Sequence, residues 1–147
     1  MADFEAINGC NRIANAYFGF KLKDWESMYT RKIDEDLDCG IRVALKIFGG
    51  KWKLCIIDAI NKGIVRPVEI HKNIPDSSLR VIEIQLAELL FFGVVDKCSE
   101  DVYPKKSEYE LTALGKSLLP ILAQIDSWGM AHSEFVKERL LELEEEV

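Results

Sequence analysis

Between Ser77 and Phe91 the apolar residues Leu79, Ile82, Leu86 and Leu89 succeed one another at intervals of 3, 4 and 3 residues. That spacing puts all of them on one buried face of an α-helix. Ser77, Ser78, Arg80, Glu83, Ile84 and Ala87 fall on or near the opposite face. Ahead of them lie VEIHKN, which reads as a short helix, and the turn Ile74-Pro75-Asp76. A short helix, a tight turn and a second helix with one buried side make the helix-turn-helix pattern, whose second helix presents its N-terminal residues to the major groove of DNA. Any small helical domain contains helix pairs, so the pattern needs support from the residues downstream of Phe91.

Those residues supply it. Gly93 ends the helix in the way a C-terminal glycine does. Val94, Val95 and Lys97, and then Ser107 to Leu111, read as two short extended segments around an irregular connection from Ser99 to Lys106 that contains Pro104. The expected fold is mainly α with a small β-hairpin: a winged helix-turn-helix, with 77–91 as the recognition helix and 97–110 as the wing.

Upstream, residues 41–47 predict a short helix stopped by Gly49-Gly50, and Trp52 opens a second, WKLCIIDAI, so apolar that Cys55 is expected to be buried and inert. Ile64-Val65 can pair with the wing, and Pro67 stands where a helix begins. Downstream, Thr112 is the expected N-cap of ALGKSLLPILAQIDSWG. Pro120 should break that helix near Leu119, and a last helix carrying Phe135, Val136, Leu140, Leu141 and Leu143 is expected past Gly129. A small winged domain does not bury two such helices by itself. The division expected is therefore an N-terminal extension at 1–38, aromatic-rich, helical in part and helping dimerisation; a DNA-binding domain at 39–116; and C-terminal dimerisation helices at 117–147.

Charge tells against nucleic acid until its distribution is considered. The chain of 147 residues carries a net charge of -6, yet 39–116 holds 12 Lys+Arg against 10 Asp+Glu. Between Arg42 and Lys72, the basic residues Arg42, Lys46, Lys51, Lys53, Lys62, Arg66 and Lys72 face only Asp58 and Glu69. Phosphate binding rests on such residues. Cys10, Cys39, Cys55 and Cys98 stand singly and the two histidines, His71 and His132, are far from them, so neither a metal site nor a disulfide framework is expected. Lone thiols, no membrane-length apolar run and no signal-peptide layout point to a cytoplasmic protein. With no phosphate-binding glycine loop and no metal-ligand spacing, an enzyme is the least supported class, and no cofactor is expected.

The stretch from Cys39 through IRVALKIFGGKWKLCIIDAI, the helix ending QLAELLFFGVVDK, the wing ending SEYELTALGKSLLPIL and the closing DSWG together resemble the HxlR-type winged-helix transcription regulators, relatives of the MarR group. The resemblance spans roughly residues 39–129. It implies a homodimer with terminal helices at the interface, a palindromic promoter site in double-stranded DNA, and a small-molecule or redox effector. Family members usually place a basic residue, a Thr, a Gln and an Arg or Lys along the outer recognition face. Here those places hold Arg80, Glu83, Ile84 and Ala87, so only Arg80 matches. Glu83 would repel phosphate or accept from a cytosine amine, and Ile84 and Ala87 suit a thymine methyl. Lys105 and Lys106 beside Pro104 suit backbone or minor-groove contact, and Lys51 in GGKW joins the candidate DNA contacts. The family cysteine matching Cys39 is an oxidant sensor in some members, which makes Cys39 a candidate redox sensor; it is commonly followed by proline, whereas Gly40 follows it here.

A dimeric DNA-binding regulator is thus the first expectation. Its rival is a winged-helix protein interaction module whose recognition face, with Glu83 and Ile84, has turned from DNA to a protein partner.

Overall fold

Residues 37–99 and 106–145 are described in the computed structural model of the chain; the N-terminal extension expected at 1–38 lies almost wholly outside them, as do Pro104 and Lys105. The order is α1 (Gly40–Phe48), α2 (Lys53–Asn61), α3 (Pro67–Asn73), α4 (Leu79–Phe91), β1 (Val95–Ser99), β2 (Ser107–Leu111), α5 (Ala113–Ser117), α6 (Leu119–Ala131) and α7 (Ser133–Glu145). Helices and a hairpin in this order make the mainly α winged helix-turn-helix that the sequence predicts.

The core forms where the apolar faces of α2, α3 and α4 meet the wing. Ile82, Leu86 and Leu89 of α4, Ile56 and Ile57 of α2, Ile70 of α3, and Val94, Val95 and Tyr109 of the wing are all but completely buried. Each such side chain contributes about 1.5–3 kcal/mol by leaving water. In α2 the buried positions include Lys53, Ile56, Ile57 and Ile60, one helical stripe at i, i+3, i+4 and i+7. Cys55 falls off that stripe and is exposed, while Cys39 is half-buried. The expectation of a buried, inert Cys55 is thereby corrected: the apolar look of the segment hid a helix with a definite outer side.

The helix boundaries obey local chemistry. Pro67 opens α3 and Pro120 sits in the first turn of α6, with Leu118 as the break between α5 and α6. Gly129 does not interrupt the chain as expected, since α6 runs through it and the break falls at His132. At the end of α4, Gly93 adopts φ +70, a conformation closed to most side chains. Its N–H reaches the carbonyl of Leu90 at 3.1 Å and that of Val94 the carbonyl of Leu89 at 2.9 Å, a Schellman closure.

β1 and β2 pair antiparallel in the register Val95↔Leu111, Lys97↔Tyr109 and Ser99↔Ser107. Ile64-Val65 forms no strand beside them. It offers one bond, from the Tyr109 N–H to the Val65 carbonyl at 2.9 Å. Where β2 ends, Thr112 returns to the start of the wing: its N–H donates to the Val94 carbonyl at 3.1 Å, and its hydroxyl reaches the Gly93 carbonyl at 2.6 Å. The same oxygen accepts the Gly115 N–H at 3.1 Å, capping α5 as predicted. Gly115 lies so close that an added Cβ would overlap the Val94 carbonyl oxygen.

Gly115→Ala should accordingly destabilise the domain by about 1–3 kcal/mol, the usual cost of forcing volume into a packed site, and lower the thermal midpoint by several degrees. Gly40→Ala, where a Cβ meets nothing within 4 Å, should leave the midpoint unchanged or slightly raised. Calorimetry of the two variants checks the contrast.

Candidate nucleic-acid interface

α4 starts at Ser78, whose side-chain oxygen accepts the Val81 N–H at 3.2 Å. Ser77 does not face outward as expected. It is buried, and its hydroxyl donates to the Ile74 carbonyl at 2.7 Å, closing the turn that sets α4 against α3. Arg80, Ile84 and Ala87 come next at helical spacing. Arg80 and Ile84 are exposed and Ala87 is half-buried, so the outer stripe predicted for this helix is present, with Ser78 at its head.

The polar residues flanking the stripe are turned elsewhere. The Glu83 carboxylate lies on the wing side: burial first, and the negative charge of Glu83 second, push the Tyr109 phenol up to about 12. Lys97 lies over the same ring, its Nζ 5.9 Å from the centroid. Gln85 faces the end of α1, where a side chain at Gly50 would meet its amide oxygen at 3.5 Å. Glu88 forms an ion pair with Lys53 of α2 at 2.6 Å, the two side chains only 10% and 7% exposed.

That pair shows what the sequence could not. Lys53 belongs to the basic run between Arg42 and Lys72, yet its charge is buried and neutralised. Arg66, from the same run, is tied to the wing: Nη2 and Nε donate to Glu108 at 2.6 and 2.9 Å, and Glu69 stands 3.9 Å from Nη1. Lys62 pairs with Asp58. Arg80, Lys72, Lys106 and Lys116, by contrast, have no ion-pair or hydrogen-bond partner among the described residues. Lys51 is exposed and stacks over Trp52, its Nζ 4.5 Å from the ring centroid. Lys72, exposed in the last turn of α3 just ahead of α4, was not among the contacts expected from sequence. Its signal was a cation at the end of the first helix of the helix-turn-helix.

Away from this face the terminal helices expose apolar stripes. Ile121, Ile125 and Trp128 recur along α6, Val136, Leu140 and Leu143 along α7, and Ile41 and Leu45 along α1 after Leu37. Trp128 is 68% and Ile41 73% exposed. Neither α6 nor α7 has a fully buried residue among those described. Among the described residues no group of His, Cys, Asp or Glu is arranged to hold a metal, and no helix is long and apolar enough to cross a membrane.

Comparison with known proteins gives this geometry a context. The model of a family described as HxlR-like helix-turn-helix matches residues 47–137. An HTH-type transcriptional regulator of Methanothermobacter thermautotrophicus is 34% identical over 96 residues, covering 65% of this chain and 73% of the relative. Among solved structures, a MarR-family transcriptional regulator from Porphyromonas gingivalis W83 is 39% identical with a TM-score of 0.60, over 68% of this chain and 97% of its own. The redox regulator HypR in its reduced form is 30% identical with a TM-score of 0.64, over 68% of this chain and 99% of its own.

The Lys53–Glu88 pair yields a prediction about what seats α4. Removing one partner leaves an uncompensated buried charge, so Lys53→Met alone should cost about 3–5 kcal/mol. Replacing both, as Lys53→Met with Glu88→Leu, should recover most of that loss. Urea denaturation of the single and double variants gives the comparison.

Proposed function

The chain belongs to the HxlR-like helix-turn-helix family of transcriptional regulators, and on that footing we propose that it works as a dimer on double-stranded DNA. In this reading α4 enters the major groove, and the wing lies along the backbone or the adjoining minor groove of a palindromic operator. The observation that carries it is Arg80: a guanidinium exposed in the first turn of the helix-turn-helix's second helix and without a partner among the described residues. A guanidinium there is suited to a guanine edge. Ser78, Ile84 and Ala87 complete the base-facing side and Glu83 stands on its wing flank. Lys51, Lys72, Lys106 and its sequence neighbour Lys105 are the proposed phosphate contacts. The rival interaction-module reading is not favoured by the relatives, which are transcriptional regulators.

The domain division belongs to the same reading, with 39–116 as the DNA-binding unit and 117–147, together with the extension at 1–38, as the dimerisation elements. The exposed stripes on α6 and α7 support it, because stripes at helical spacing are what a second copy buries. An effector acting on a thiol is the regulatory part of the proposal. The likeness to HypR, named a redox regulator, supports it, and Cys39, at the N-cap of α1 where the extension joins the domain, is the candidate group.

Arg80→Ala should weaken binding to a specific site by roughly 1–3 kcal/mol per half-site, and relax the preference at one base pair. Lys106→Ala should weaken all sequences alike and flatten the dependence of log affinity on log salt by about one unit per half-site. Titrations across salt concentrations separate the two, and a parent protein that binds no duplex at low salt would refute the reading. Sedimentation should give twice the chain mass, and a monomer at micromolar concentration would contradict the dimer.

A further inference from the structure

The outer stripe of α4 is poor in hydrogen-bonding groups. After Arg80 the next side chains along it are Ile84 and Ala87. Of the polar residues beside it, Glu83 is half-buried, Gln85 lies beside Gly50, and Glu88 is held in its pair with Lys53. A helix with this surface has few hydrogen bonds with which to distinguish bases beyond Arg80. What it does offer is a branched aliphatic group, 39% exposed at Ile84, with a small methyl beside it at Ala87.

The apolar feature of the major groove is the C5 methyl of thymine. We propose that Ile84 and Ala87 are specificity-determining residues that read thymine methyl groups, so that each half-site is defined by one polar contact from Arg80 and by thymine a short way along the groove. The proposal rests on the reading of α4 as a major-groove helix. The geometry sets the interval. Ile84 stands about 6 Å along the helix axis from Arg80, close to the span of two base steps at about 3.4 Å each. Ala87 lies nearly one turn further, and its small side chain leaves room for a methyl to approach the backbone. Charge supports DNA as the occupant of this surface, since the stripe begins at a cation without a partner among the described residues, with Lys72 at the end of α3 and Lys106 just ahead of β2 to either side of α4 in the chain.

Uracil supplies the test, because it keeps every hydrogen-bonding group of thymine and lacks only the methyl. The full chain is first used to select duplexes from a randomised pool, and the enriched site is then remade with uracil at one thymine position at a time. Burying one methyl is worth about 0.8 kcal/mol, so the expected loss is about fourfold per methyl contacted. In Ile84→Ala, an exposed position whose retained helical content circular dichroism checks, the loss at one thymine should vanish while the others remain. Enriched sites that lack thymine, sites indifferent to uracil, or an Ile84→Ala variant as sensitive as the parent would each overturn the proposal while leaving DNA binding intact. Failure to enrich any duplex at low salt would instead overturn the DNA-binding reading, and this inference with it.

Discussion

Two adjacent carbonyls, those of Gly93 and Val94, hold the functional parts of this molecule in register. α4 ends at the same two residues, whose N–H groups make the Schellman closure to Leu90 and Leu89, and β1 leaves from them. β2 returns to them through Thr112, whose hydroxyl and N–H both bond there. α5 begins against them, with Gly115 packed onto the Val94 oxygen. Buried carbonyls left without donors would cost free energy comparable to lost hydrogen bonds. Here one threonine satisfies them while capping the next helix. The angle between α4 and the wing is therefore set by backbone chemistry at a single junction, reinforced on the far side of the hairpin by Arg66 and Glu108 and by the bond from Tyr109 to Val65.

Much of this was legible in the sequence because the signals are local. The 3-4-3 spacing of Leu79, Ile82, Leu86 and Leu89 identifies the inner face of α4 without knowledge of what it packs against. Gly93, Thr112, Pro67 and Pro120 mark boundaries through conformational limits that hold in any context. The misreadings arose where a residue's role depends on its tertiary surroundings. Ser77 looks like a groove-facing hydroxyl until the turn that buries it is known. Lys53 and Glu88 are 35 residues apart in the numbering, and neither announces that its charge will be matched inside the fold. Cys55 is the instructive case, since the stripe of Lys53, Ile56, Ile57 and Ile60 was present in the sequence, hidden by a lysine standing at a buried position.

The same pairings change how the charge is understood. Several cations of the basic run are engaged within the protein, on Glu88, Glu108 and Asp58. Among the described residues, Arg80, Lys51, Lys72 and Lys106 remain for a nucleic acid on this side, at the start of α4, in the loop before α2, at the end of α3 and on the wing, and Lys116 is likewise without a partner. α7 meanwhile carries Glu134, Glu138, Glu142 and Glu144. A chain with net charge -6 should bind nonspecific DNA weakly, because that mode depends on phosphate neutralisation alone. Discrimination then falls to how closely α4 fits its site, and hence to the junction that aims it.

Methylation protection of guanine N7, an atom that lies in the major groove, tests the central claim most directly when performed on the duplex that the full chain selects. The account predicts two protected patches of guanine on one face of the duplex, centred about one helical turn or a multiple of it apart, with protection in both lost in Arg80→Ala. No protection of guanine N7, a single patch, or an unchanged pattern in Arg80→Ala would contradict it.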